Sequence, residues 1–405
     1  MRTLCLPPLE MLWVIASRDI LAHYLLTIIR KESGMTQITH NKRALYMAID
    51  VGVKNWKISL SDMVKERDIS INVCGCAVRL AEEISKAKQK FGLVAEAPVY
   101  SCYEAGRDGF WIHRMLTRLG ITNFVVDPAS IEVNRRARRV KTDRLDAQKL
   151  RNMLIRYVVQ GERKHWRVLH VPDEEAETAR RMGREEDRLK KERGAHICRI
   201  RSLLALYGIR VKSVKCDILL LKDWDGRPLP EALREEIARE QQRLEFVDRQ
   251  LEVLKKAKKE GIKNPDTDAK AKAARLIRLK GIGEDTAWDL SHEFFGWRKF
   301  NNRRQVGSAA GLTGCPYNSG NSNREQGISK AGNRRIRTSM VETAWRWLQF
   351  QPNSELSKWY MLRFAGNGKR MRRVGIVGLA RKLLVAIWKY VEFGTLPEGA
   401  IEKAV

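Results

Sequence analysis

The chain has 405 residues, 77 of them Lys or Arg against 48 Asp or Glu, giving a formal net charge of +29. That length predicts two or three domains, and a hydrophobic content of 43% excludes wholesale disorder. So large a cationic surplus exceeds what solubility needs and points to a polyanionic partner, nucleic acid above all.

Residues 1–43 read as an N-terminal extension outside the core. Leu12 to Ile29 is apolar, but Arg18, Asp19 and His23 interrupt it. A central Arg-Asp pair is expensive in hydrocarbon, so no membrane-spanning helix is expected. No small-residue cleavage site follows, and the folded domain is expected to open near Met35. The cysteines (Cys5, Cys74, Cys76, Cys102, Cys198, Cys216, Cys315) show no paired zinc spacing. Reduced thiols and a cytoplasmic location are expected.

Residues 44–165 alternate strands with helices. Leu45 to Gly52 and Trp56 to Leu60 read as a hairpin, followed by a helix near Val78–Phe91 and a strand at Pro98–Tyr103. Gly109–Leu119 is an amphipathic helix, Asn123–Pro128 a buried strand, and the rest to Arg156 a basic helical stretch. This pattern predicts an α/β domain of RNase H-like type. In residues 166–262, Leu233, Ile237, Leu244, Val247, Leu251 and Leu254 fall on heptad spacing, with Glu240 the one polar interruption. A coiled-coil arm or long helical hairpin is expected, the alternative being a packed hairpin without interaction duty. Residues 271–395 form a mostly helical third domain. Between Asn321 and Arg373 it carries twelve Lys/Arg against three Glu, interleaved with Trp345, Trp347, Trp359, Tyr360 and Phe364. Such a surface suits phosphate contact and base stacking, although many of these aromatics are expected on inner helix faces.

Four carboxylates stand out. Asp50 ends the first strand, Glu104 follows a later one, and Asp143 and Asp146 share a helix face. Singly, each suits a surface ion pair. Together, in the order Asp, Glu, Asp-x-x-Asp, they form an oxygen-donor set for hard divalent cations, Mg²⁺ or Mn²⁺, which serve in-line displacement at phosphorus. Asp108 and Asp127 compete by spacing alone. Arg135, Arg136, Arg138, Arg139 and Lys141 run into the Asp pair without an intervening acid, either as a solvated helix face or as a track for a nucleic-acid strand.

A loop rich in small polar residues contains Ser319-Gly320, followed by Arg324, Lys330, Arg334 and Arg335. A serine there is either a turn-capping residue or a nucleophile assisted by Arg324, Lys330 and nearby metal ions. No His adjoins it, which disfavours a Ser-His-Asp hydrolase. Leu279-Lys280-Gly281-Ile282-Gly283 suits either a plain helix connection or a helix-hairpin-helix turn that holds phosphate.

Taken together, Ala48-Ile49-Asp50-Val51-Gly52, Tyr103-Glu104-Ala105 and Lys141-Thr142-Asp143-Arg144-Leu145-Asp146-Ala147 resemble the DEDD transposases of the insertion-sequence-110 family. Ile282-Gly283, Ala309, Gly311-Leu312-Thr313, Ser319-Gly320 and Ile328-Ser329-Lys330-Ala331-Gly332-Asn333 extend the resemblance in family order over residues 44–390. One departure is Asp127, where family members often have Asn. The resemblance implies a RuvC-like N-terminal domain, a coiled-coil arm and a C-terminal transposase domain. It makes Asp50, Glu104, Asp143 and Asp146 metal ligands and Ser319 the nucleophile that links covalently to DNA. It further implies a dimer or tetramer on donor and target DNA, guided by a structured noncoding RNA. Two rivals remain from the sequence: a Holliday-junction-type nuclease using water, and a non-catalytic nucleic-acid-binding relic.

Overall fold

A computed structural model describes residues 43–74, 76–131, 143–163, 166–319 and 322–403. The chain divides into two compact units, Met1–Val171 and Pro172–Val405. The expected extension up to residue 42 and the cation run from Arg135 to Lys141 lie outside the described residues.

In the first unit, β1 (Leu45–Val51) and β2 (Asn55–Ser61) form the expected hairpin, paired from Tyr46↔Ser61 to Val51↔Trp56. Gly52 is required in the turn, because a Cβ there would lie 2.3 Å from the Asn55 carbonyl oxygen. A third strand, β3 (Glu66–Asn72), pairs with β2 and was not anticipated. As an edge strand it buries only Ile71, so its sequence lacks a strong apolar alternation. Then come α1 (Cys76–Phe91), β4 (Val99–Glu104), α2 (Trp111–Arg118), β5 (Thr122–Val126) and α3 (Asp143–Val159). The sheet order is β3-β2-β1-β4-β5, with β4 parallel to both β1 and β5.

Alternation along β1 divides the core. Leu45, Met47 and Ile49 point to one face, where they pack with Leu80, Ile84 and Phe91 of α1 and Ile112 and Leu116 of α2. Tyr46 and Ala48 point to the other, joining Cys102 and the α3 residues Leu150, Met153 and Leu154. Each fully buried aliphatic side chain contributes roughly 1.5–3 kcal/mol relative to exposure. The stripe Ala147, Leu150, Leu154 therefore secures α3 on the sheet.

The second unit opens with α4 (Glu174–Ala179), α5 (Arg181–Ala205) and α6 (Glu231–Lys263). The last two form a long hairpin whose loop tucks Val214, Ile218 and Leu229 against Ile200, Leu204, Leu233 and Ile237. The heptad interruption, Glu240, is buried and accepts bonds from His196 Nδ1 at 2.6 Å, Arg199 at 2.6 Å and Arg243 at 2.5 Å. Burial pushes its carboxyl up, but those bonds outweigh it and hold the pKa at about 2. The chain continues through α7 (Asp268–Ile277), α8 (Glu284–Leu290), α9 (Arg303–Ala309), the hairpin β6 (Gly314–Ser319) and β7 (Ser322–Ile328), α10 (Arg334–Phe350), α11 (Glu355–Tyr360) and α12 (Lys369–Phe393). Ile376, Leu379, Leu383, Leu384 and Ile387 of α12 run through the core of this unit. Of the aromatics among the cations, Trp347 and Tyr360 are core residues, whereas Trp345 is half exposed. No described helix is long and apolar enough to cross a membrane.

Candidate functional site

The register fixes where the carboxylates lie. Ile49 pairs with Tyr103, so Asp50 and Glu104 follow side by side at the C-terminal ends of neighbouring parallel strands. By alternation both belong to the face that α3 covers, the face of Ala48 and Cys102. The direction of α3 follows from its bonds. Arg144 and Gln148 reach Asp68, whose cross-sheet neighbours are Ser59 and Ala48. Arg151 reaches Glu66, level with Ser61 and Tyr46. The helix thus runs antiparallel to β1, with Asp143 and Asp146 at the end where Asp50 and Glu104 stand.

The Cys102 thiol donates to the Leu150 carbonyl at 3.6 Å, which sets the level. From Leu150 back to Asp146 is four helical residues, about 6 Å. From Ala48 to Asp50, or Cys102 to Glu104, is two strand residues, about 6.6 Å. Asp146 is therefore drawn level with Asp50 and Glu104, and Asp143 lies nearly one turn further out. Asp146 is half-buried, whereas Asp143 and Glu104 are exposed. Among the described residues, no three His, Cys, Asp or Glu side chains group closely enough to hold one metal ion. The donors nonetheless suit a hard divalent cation in kind, being all carboxylate oxygens.

The two competing aspartates have local duties. Asp127 Oδ1 accepts from the Ala129 backbone N–H at 3.0 Å and its other oxygen lies 3.7 Å from Arg167. Asp108 lies 3.8 Å from its neighbour Arg107.

The serine segment is a hairpin where a loop was expected. Ser319 pairs with Ser322 at its open end. With Pro316 in one strand and Gly327 in the other, the sequence has no apolar alternation to announce it. Gly314, Pro316, Tyr317 and Asn318, with Glu325, Gln326 and Gly327, are exposed, so little of the hairpin is buried. Its base is fixed firmly. Ser329 N–H donates to the Thr313 carbonyl at 2.8 Å and Asn333 N–H to Ala309 at 2.8 Å. Gly332 has φ +143°, and a Cβ there would lie 2.5 Å from the Ala309 carbonyl oxygen. Asn333 Oδ1 caps α10 through the Ile336 N–H. The Ser-Lys-Ala-Gly-Asn block thus acts as the foot of the hairpin.

The cations singled out by sequence divide. Lys330 is exposed with φ +55°, and Arg334 is exposed. Arg335, one residue on, faces inward. Its guanidinium lies 3.2 Å from Asp187, 2.8 Å from Asp289 and 3.8 Å from Glu293. Five donors in one planar fork explain why Arg sits among three acids. Nearby, buried Lys258 pairs with Glu186 and Asp285. Arg335 therefore has a structural duty that its position in a basic run did not reveal. Only the backbone of Arg324 falls among the described features, in β7.

Acidic residues level with one another at one end of a mixed sheet, in a chain of high positive charge, suit work on nucleic acid. Residues 273–358 match the transposase IS116/IS110/IS902 family model. Over 388 residues the chain is 39% identical to "Putative transposase y4rJ" of Sinorhizobium fredii, spanning 91% of this chain and 97% of that protein. The transposase for insertion sequence element IS1533 of Leptospira borgpetersenii is 26% identical over 42% of this chain and 46% of its own length. That for IS1328 of Yersinia enterocolitica is 26% identical over 57% and 67%. The chain belongs to the IS110 family of transposases, enzymes that break and rejoin DNA.

Proposed function

We propose that this transposase is a site-specific recombinase of an insertion sequence, using a RuvC-like set of Asp50, Glu104, Asp143 and Asp146 with Ser319 as nucleophile. The observation that carries the reading is that Asp50, Glu104 and Asp146 stand level with one another at one end of the sheet. Two like charges at 4 Å repel by roughly 4 kcal/mol at an effective dielectric of 20, so closing such a set requires compensating positive charge. Bound Mg²⁺ or Mn²⁺ would supply it and would stabilise charge on the attacking and leaving oxygens.

In the proposed reaction the Ser319 hydroxyl attacks phosphorus. A serine–phosphate bond forms as one phosphodiester bond to sugar breaks, and the departing sugar oxygen takes a proton. Attack by a sugar hydroxyl of a second strand reverses the exchange and frees the serine. The number of phosphoester bonds is conserved, so no nucleotide cofactor is needed. Lys330 and Arg334 supply phosphate contact beside the hairpin, and Arg135 to Lys141 extend the track ahead of Asp143. The family resemblance supports assembly as a dimer or tetramer on donor and target DNA, with a structured RNA choosing both.

The test is to incubate the full chain with labelled donor DNA, the cognate RNA and Mg²⁺, trap the protein–DNA adduct and map the attached residue. Attachment at Ser319 is expected. Strand cleavage that persists in Ser319→Ala without any adduct would instead establish water as nucleophile.

A further inference from the structure

One polar cluster in the first unit belongs to none of the roles above. Asp68, on β3, is mostly buried between the sheet and α3. Its Oδ1 accepts from Ser59 Oγ at 2.6 Å, and its Oδ2 accepts from Arg144 Nε at 2.8 Å and Gln148 Nε2 at 2.6 Å. Arg151, only 2% exposed, continues the chain of bonds, donating to Ser59 Oγ at 3.0 Å and to Glu66 Oε1 at 2.5 Å. Burial raises the Asp68 carboxyl, but the bonds from Ser59, Arg144 and Gln148 prevail and hold it below its ordinary range. It is an anion tied to two side chains of one helix.

Residues 144, 148 and 151 follow 4 and 3 apart and form one flank of α3. Asp143, Asp146, Ala147 and Leu150 form the next, about a third of a turn round at roughly 100° per residue. Apolar packing alone tolerates small rotations of a helix, because dispersion contacts have no direction. Hydrogen bonds at 2.6–2.8 Å on a second flank do not. A roll of 20° at a radius of about 5.5 Å would shift a carboxylate by about 2 Å. That is as long as a Mg²⁺–oxygen contact of about 2.1 Å.

We propose that Asp68 is a positioning residue: through Arg144 and Gln148, with Ser59 and Arg151 behind it, it sets the roll of α3 that aims Asp143 and Asp146 at Asp50 and Glu104. This rests on the reading of those four residues as metal ligands. Partners that orient ligands in this way typically account for 10–100-fold in metal affinity.

The experiment is Mn²⁺ binding to the full-length chain, followed by electron paramagnetic resonance, for wild type, Asp68→Ala, Asp68→Asn and Asp143→Asn. Circular dichroism reports folding in parallel. Asp68→Ala is expected to weaken Mn²⁺ binding 10–100-fold with helical content retained. Asp68→Asn keeps one acceptor oxygen and is expected to lose less than Asp68→Ala; should Asp68→Ala not fold, a weakening of at least threefold in folded Asp68→Asn is the supporting result. Wild-type Mn²⁺ affinity in a folded Asp68 variant, with Asp143→Asn impaired, overturns the positioning role alone. Wild-type affinity in Asp143→Asn overturns the ligand reading beneath it.

Discussion

The carboxylate end of the first unit and the serine hairpin of the second are built in opposite ways. Asp50 and Glu104 end central parallel strands, and Asp146 rides a helix held by apolar packing and by the bonds to Asp68. Ser319 ends a two-stranded hairpin with mostly exposed side chains, secured only at its foot by Gly332 and Asn333. The difference follows from the chemistry proposed for each. Metal ligands demand positions good to a fraction of an ångström, so they stand on rigid elements. A nucleophile that becomes covalently attached to a DNA end has to accompany it between strands, which a projecting hairpin on a firm base permits.

The largest effect expected is at the chemistry. Asp143→Asn should lower strand cleavage by about a hundred- to a thousandfold, a loss of the size seen when a main electrostatic contributor to a transition state is removed. Ser319→Ala should abolish the covalent adduct while DNA binding in a mobility-shift titration stays within about twofold. An adduct that survived in Ser319→Ala would break the comparison, because Ser319 would then not be the nucleophile.

Arg335→Ala should be the most damaging substitution in the basic run, since it removes from Asp289 the guanidinium that lies 2.8 Å away, whereas Glu293 keeps Arg184. Breaking a buried pair from one side costs about 3–5 kcal/mol, readable as a lower urea midpoint. Gly332→Ala forces a side chain onto a backbone carbonyl at positive φ and should cost about 1–3 kcal/mol. If the hairpin's foot matters to the reaction, adduct formation should fall further than stability does.

A pH dependence is expected in the α5–α6 hairpin. Glu240 has a folded pKa of about 2, below the roughly 4.3 of an unfolded Glu. Its contribution to stability is thus complete above about pH 4.3 and is lost as pH falls through about 2. Thermal unfolding between pH 5 and 2 should show this loss in wild type and a shallower slope in Glu240→Gln. The smallest effect expected is at Arg334. Arg334→Ala should leave the urea midpoint unchanged and reduce the slope of log binding constant against log salt by about 1. An unchanged salt slope would remove Arg334 from the DNA contact.

Much of the first unit was legible because its residues alternate or repeat with the period of their element. Leu45 to Gly52 and Pro98 to Tyr103 read as strands, and Val78 to Phe91 as a helix, before any contact was known; the elements are Leu45–Val51, Val99–Glu104 and Cys76–Phe91. Strand β3 was hidden because an edge strand with one buried side chain carries no such signature. The hairpin β6–β7 was hidden because its described side chains are mostly exposed, and a strand with little to bury needs no apolar pattern. Glu240 showed as a break in the heptads, but its burial beneath three hydrogen-bonding partners did not, since two of them come from the other helix.

The sequence alone determined the strong positive charge, the family, the order of the acidic residues and the two long helices, because composition and local period are properties of the chain itself. Only the tertiary structure decided that Asp146 comes level with Asp50 and Glu104, that Arg335 turns inward while Arg334 faces solvent, and that Asp68 grips α3. Each depends on register and on which flank of a helix meets which strand. Residues more than forty positions apart fix these relations, and local sequence carries no record of them.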